Sequence, residues 1–106
     1  MKIKIPTKEA GILKEEIFNA VKDQTLKTWV ITVGESGNSY LTHKPDQWYD
    51  EAILKFSATN EELQINVDHW KGKPHNLAVD RYYLGRFIEV LLVHFSSYFE
   101  TFEVHK

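Results

Sequence analysis

From Leu77 onward, apolar side chains recur every three or four residues: Leu84, Phe87, Ile88, Leu91, Leu92, Phe95, Tyr98, Phe99 and Phe102. That spacing lines up one side of an α-helix and predicts a long C-terminal helix with a buried stripe. Asn76 or Asp80 is its expected N-cap. A shorter helix is predicted from about Lys8 to Asp23, capped by Thr7, with Ala10, Leu13, Ile17, Ala20 and Val21 on one face and Lys8, Glu9, Lys14, Glu15 and Lys22 on the others.

Between these segments the period drops to two. Trp29, Ile31 and Val33 alternate with Thr28, Val30 and Thr32, a β-branched and aromatic run that favours a strand. Gly34-Glu35-Ser36-Gly37-Asn38 is a turn, after which Ser39 to His43 returns as its hairpin partner. A loop containing Pro45 separates it from Ala52-Leu54-Phe56 and Leu63-Ile65-Val67, the two clearest alternations in the chain. The short polar link Ala58 to Glu62 makes these two consecutive and antiparallel. Ahead of everything, Ile3 and Ile5 alternate with lysines before Pro6, which suits an extended arm or an edge strand.

The expected fold is therefore α+β: an N-terminal helix, an antiparallel meander of about four strands and a long C-terminal helix. Both helices are expected on one face of the sheet, as a two-layer sandwich. At 106 residues a single domain spanning 1–106 is expected, since this length suffices for one core and not for two.

Composition narrows the function classes. Charged residues make up 26% of the chain and hydrophobic ones 42%, so a folded core is expected rather than a disordered chain. A formal charge of −2 gives no general attraction to phosphate backbones. Lys71, Lys73 and Arg81 form the sole local basic cluster, two or three cations that leave a nucleic-acid-binding accessory protein as a minor alternative. With no cysteine, thiolate catalysis and Cys-ligated zinc are excluded. The first residues lack the apolar core of a secretory signal and no run is long enough to span a bilayer, so a cytoplasmic location away from membranes is expected.

Candidate chemistry is sparse. His69 and His75 flank a loop beside Asp68, a donor combination that zinc accepts, but the spacing matches no ligand motif. Asp68 and His69 would also point to opposite faces of a strand. The expectation is no metal site and no cofactor. His94, at the edge of the final stripe, is expected to be a partly buried histidine rather than a general base. Asp46, Asp50, Glu51 and Asp68 show no spacing that pairs two of them for acid–base work, and neither a phosphate loop nor a nucleophile elbow is present. No catalytic residue is assigned.

Two loops rich in aromatic and polar residues offer Trp48, Tyr49, Trp70 and His75 as an interaction surface. The outward line of the last helix carries Tyr82 and Val93, with Val90 and Tyr83 broadening its apolar arc; Tyr82, Val90 and Val93 are the expected dimer interface. Together these features suggest a non-enzymatic protein-interaction module of adaptor, inhibitor or immunity type, acting as a homodimer. The alternative is a small-ligand binder or small enzyme with a pocket between sheet and helices.

Overall fold

A computed structural model describes residues Met1–Lys106. The elements are β1 (Lys2–Pro6), α1 (Ala10–Lys22), β2 (Trp29–Val33), β3 (Ser39–His43), β4 (Ile53–Ala58), β5 (Glu62–Asp68), α2 (Leu77–His94), a single 3-10 turn (Ser96–Tyr98) and β6 (Glu103–His105). The strands form one antiparallel sheet in the order β2-β3-β4-β5-β1-β6. The class is thus α+β, with two helices and six strands. The meander β2 to β5 is as expected, and two further strands extend it. β1 is an interior strand over Lys2–Lys4, where β6 covers its outer side. Pro6 lies past the last β6 pair, so its missing N–H interrupts no ladder on that side.

Alternation sets the two faces of the sheet. Ile3 and Ile5 lie opposite Ile65 and Leu63, Phe56 lies opposite Ile65, and Leu41 lies opposite Leu54. These side chains, with Phe56 part-buried against the rest, join Leu13 and Ile17 of α1 and Tyr83, Phe87 and Leu91 of α2 in one core. The intervening positions Lys2, Lys4, Gln64, Asn66, Lys55 and Asp68 point the other way, and Lys55 and Asp68 pair there at 2.8 Å. Burying each large side chain of the cluster contributes on the order of 1.5–3 kcal/mol.

Aromatic rings run through this core in edge-to-face contacts. Phe18 meets Phe56 at 5.1 Å, Phe56 meets Phe87 at 5.7 Å, and Trp29 meets Phe87 at 5.3 Å and Tyr83 at 5.8 Å. The series passes from α1 across β4 to α2 and on to β2, so the helices are positioned partly by ring quadrupoles that favour perpendicular contact.

β3 and β4 share a single registered pair, Leu41 with Leu54. Beyond it the strands part, and the Tyr83 side chain, fully buried, fills the opening. Its hydroxyl donates to the Trp48 carbonyl and accepts from the His43 N–H at 3.4 Å. Thr42 Oγ1 touches the same hydroxyl at 3.1 Å, donates to the Ala52 carbonyl at 2.9 Å and accepts from Asp50 N–H at 3.1 Å. Two hydroxyls thus replace the backbone ladder that β3 and β4 give up.

The final helix differs from the sequence expectation. It stops at His94, and Phe95 leaves helical geometry with φ −128°. Ser96 and Ser97 follow, residues whose side chains compete for backbone hydrogen bonds, and Phe99 is extended. Phe95 is buried and Tyr98, Phe99 and Phe102 still pack on the core, because the chain turns back along it. A three-residue spacing therefore arises from a 3-10 turn and a strand approach as well as from a helix. Leu92, assigned to the buried stripe, is exposed, since burial is confined to Val79, Asp80, Tyr83, Leu84, Phe87 and Leu91. The first helix starts two residues later than expected and has Glu9 rather than Thr7 at its N-cap; Thr7 Oγ1 instead accepts from the Glu9 N–H in the turn before it. No helix is long and apolar enough to cross a membrane.

Removing one oxygen tests the Tyr83 plug. Tyr83→Phe keeps the ring, orphans the His43 N–H and leaves the Trp48 carbonyl only the Glu51 N–H at 3.3 Å, so urea unfolding should show a loss of about 1–3 kcal/mol. A loss within error would mean that water satisfies these groups.

Candidate functional site

Two groups of residues converge on α2, one at each end. The first lies toward its C-terminal half. Tyr82, read from sequence as outward-facing, is half-buried: its ring stacks on Trp48 at 3.9 Å and 13°, and its hydroxyl lies 3.3 Å from His43 Nε2. The Arg86 guanidinium sits 5.3 Å from the same ring. Tyr83, the next residue, projects into the core instead, which is why it plugs the sheet rather than broadening an outer arc. Tyr82, Val90 and Val93 line one cleft of about 380 Å³ with His43, Arg86, Glu89 and His94, bounded on the other side by Thr28 and Trp29 of the β2 edge. The three residues expected at a dimer interface are therefore contiguous. Val93 is 72% exposed and Leu92, which the stripe reading had placed inside, is 54% exposed. His94 is exposed at the helix C-terminus rather than partly buried, in the last turn where a cation suits the helix dipole.

His43 has the least ordinary environment in this cleft. It is buried against Trp29 at 4.6 Å between ring centres, and its Nδ1 has no hydrogen-bond partner. Burial first, and the Arg86 guanidinium second, hold its pKa below the usual histidine range.

The second group lies at the N-terminal end of α2. Asn76 is the N-cap, its Oδ1 accepting from the N–H groups of Ala78 and Val79 at 2.9 and 3.3 Å. Asp80 is therefore free of capping and turns inward, with its side chain only 2% exposed. Its Oδ1 meets His69 Nε2 at 2.6 Å and its Oδ2 meets His75 Nε2 at 3.1 Å. The other ring nitrogen of His69 lies 3.2 Å from the Glu51 carbonyl oxygen. His75 reaches this point because the loop after β5 folds back: Lys73 N–H bonds to the Trp70 carbonyl at 3.0 Å, and Gly72 takes a φ of +88° that side chains resist. His69, His75 and Asp80 thus form a three-donor cluster that could hold a metal ion.

The remaining sequence candidates are separated. Asp68, considered beside His69, pairs with Lys55 on the outer side of the sheet and takes no part in the cluster. Each of these two holds the other in its charged form, raising the Lys55 pKa and lowering that of Asp68. Trp70 donates from Nε1 to Asp50 at 2.5 Å and is half-buried, while Tyr49 is exposed. Lys73, part of the small basic cluster, is engaged by the Asp50 carbonyl at 2.8 Å and by Glu51 at 3.7 Å.

Asp80 is the residue that sequence reasoning missed, since it was weighed as a cap alone. The signal was present: residues 80, 84, 87 and 91 share the buried face of α2, and a carboxylate on that line requires a partner. Comparison with known protein families, with curated proteins and with solved structures gives no match to this chain.

The lowered pKa of His43 has a direct consequence for stability. The unfolded chain binds a proton at His43 below about pH 6.5, where the folded chain resists it. Its contribution is complete above that pH and declines as pH falls toward the lowered folded value. Thermal melts of His43→Gln should therefore show a shallower loss of stability on acidification than the wild type; parallel curves would exclude His43 as a source.

Proposed function

We propose that this protein is a non-enzymatic interaction module, of adaptor, inhibitor or immunity type, that pairs with a second copy through the C-terminal half of α2. The carrying observation is the adjacent exposed pair Leu92 and Val93, continuous with half-buried Val90 and Tyr82. Neighbouring apolar side chains on an otherwise polar helix face lose unfavourable hydration when covered, and a twofold contact is the commonest way to cover them. Gly85 lies on the same exposed side with open space where a side chain would stand, which lets a second backbone approach.

In this reading the two helices cover the apolar face of the sheet and leave the other face without a helix. That other face carries Lys2, Lys4, Gln64, Asn66 and Lys55, which offer hydrogen bonds, while its apolar part, Ile53 and Tyr40, is already packed with the Trp70 loop. Trp48 and Trp70 already have intramolecular partners, so α2 is the better docking element than the aromatic loops. Tyr49, His75 and the exposed parts of those loops remain available to a protein partner. The absence of cysteine agrees with a reducing cytoplasm.

A second reading is favoured by one observation. His43 Nδ1 is buried, unpartnered and beside a cleft that also holds Arg86 and His94, which suits a small polar ligand. Such a ligand would sit on the flank of α2, since aromatic rings fill the space between sheet and helices.

Light scattering coupled to gel filtration separates the readings. The wild type should run at twice the chain mass, and Leu92→Glu/Val93→Glu should run as a monomer with unchanged circular dichroism. A monomeric wild type at high concentration would remove the dimer.

A further inference from the structure

The geometry points to His69, His75 and Asp80 as the binding site for one divalent transition-metal ion of the zinc class, with water completing its coordination. This inference does not depend on dimerisation.

Asp80 supplies the physical reason for a cation. Its carboxylate is buried, and the side chains paired with it are two imidazoles. A carboxylate removed from water needs compensating positive charge. Neutral His69 cannot provide it, because its Nδ1 faces the Glu51 carbonyl, an atom that only accepts. With its single proton committed there, Nε2 directs a lone pair at a carboxylate oxygen 2.6 Å away. Two electron-rich atoms at that distance require a positive species between them, either a second proton on the ring or a metal ion.

The third donor argues for the metal. A proton between His69 and Asp80 leaves His75 a single hydrogen bond from Nε2–H to the second carboxylate oxygen at 3.1 Å, whereas a metal ion uses all three side chains that the folded-back loop brings together. All three donor atoms lie within 4.8 Å of one another. Donors around a tetrahedral zinc ion, at bonds of 2.0–2.1 Å, stand about 3.3 Å apart. Holding one ion requires the Asp80 carboxylate to turn so that its oxygen moves from 2.6 Å out to that spacing from His69 Nε2, and His75, 69% exposed on a loop, is free to follow it. His69 is the fixed donor. Its Nδ1 contact to the Glu51 carbonyl is the outer contact that orients metal-binding imidazoles, and its backbone N–H is held by Asp68 Oδ1 at 2.8 Å.

Donor chemistry sets the class of ion. Two imidazole nitrogens and one carboxylate suit zinc, cobalt or nickel, whereas calcium and magnesium take oxygen shells. Three protein donors leave a position open on the solvent side of His75, where water binds and an ion enters.

The test uses the full chain, freed of metal with a chelator, and titrated with zinc chloride by calorimetry and with cobalt chloride by visible absorption. One equivalent of each should bind, cobalt should show the d–d bands of a nitrogen- and oxygen-ligated ion, and zinc should raise the melting temperature. His75→Ala changes an exposed side chain and should weaken binding roughly tenfold or more, with loss of the thermal shift. Asp80→Asn should abolish binding; if it does not fold, the His75→Ala titration decides alone. His105→Ala removes the exposed His105–Glu103 pair, a competing site, and should leave binding unchanged. A wild type that takes up no zinc overturns the site, as does full-strength binding in His75→Ala or its loss in His105→Ala.

Discussion

Where β3 and β4 separate, the fold rests on the buried hydroxyl of Tyr83. A sheet that opens at one end exposes backbone groups on both strands, and those groups are satisfied here by Tyr83 and Thr42 rather than by a ladder. Because Tyr83 belongs to α2, the opening in the sheet and the seating of the helix are a single arrangement. The same ring touches Trp29, which touches Phe87, which touches Phe56 and through it Phe18 of α1. Moving α2 would therefore strain the sheet and both helices together, and interiors packed at this density transmit such strain.

That seating decides what the surface of α2 can do. Successive residues Tyr82 and Tyr83 leave the helix in different directions, one to a stack on Trp48 and one to the core. With the helix fixed in rotation, Asp80 is held inside near the loop histidines, while Leu92 and Val93 are held outside. The charged cluster and the apolar pair sit at opposite ends of one rigid element, and a ligand at either end meets a preformed surface.

Much of the architecture was legible because local periodicity carries it. α1 and the strands from Trp29 to Asp68 follow from alternation and turn residues that need no knowledge of distant contacts. The edge of the sheet was not legible, since β1 with β5 and β6 is a pairing between segments far apart in the chain, and nothing in Ile3 or Ile5 names its partner. The end of α2 was misread because apolar residues that line a core at three-residue spacing look the same in a helix, a 3-10 turn or a returning strand. Among functional candidates, Tyr82, Val90 and Val93 were grouped by helical geometry and do share one cleft. His69 and His75 were seen, but the third member of their cluster was hidden: a carboxylate near a helix start reads as a cap until Asn76 is known to fill that role.

The position of β1 in the sheet carries a consequence for how the chain is made. Ile3 and Ile5 leave the ribosome long before Leu63 and Ile65, the residues they lie against when folded. Until β5 appears, that strand is an apolar segment with both edges unpaired, the kind of segment that joins other chains. Lys2 and Lys4 alternate with the isoleucines and end, part-buried, on the outer face of the finished sheet. Charges alternating with apolar residues disfavour pairing between copies of an exposed strand, and Lys2 and Lys4 are placed to do so.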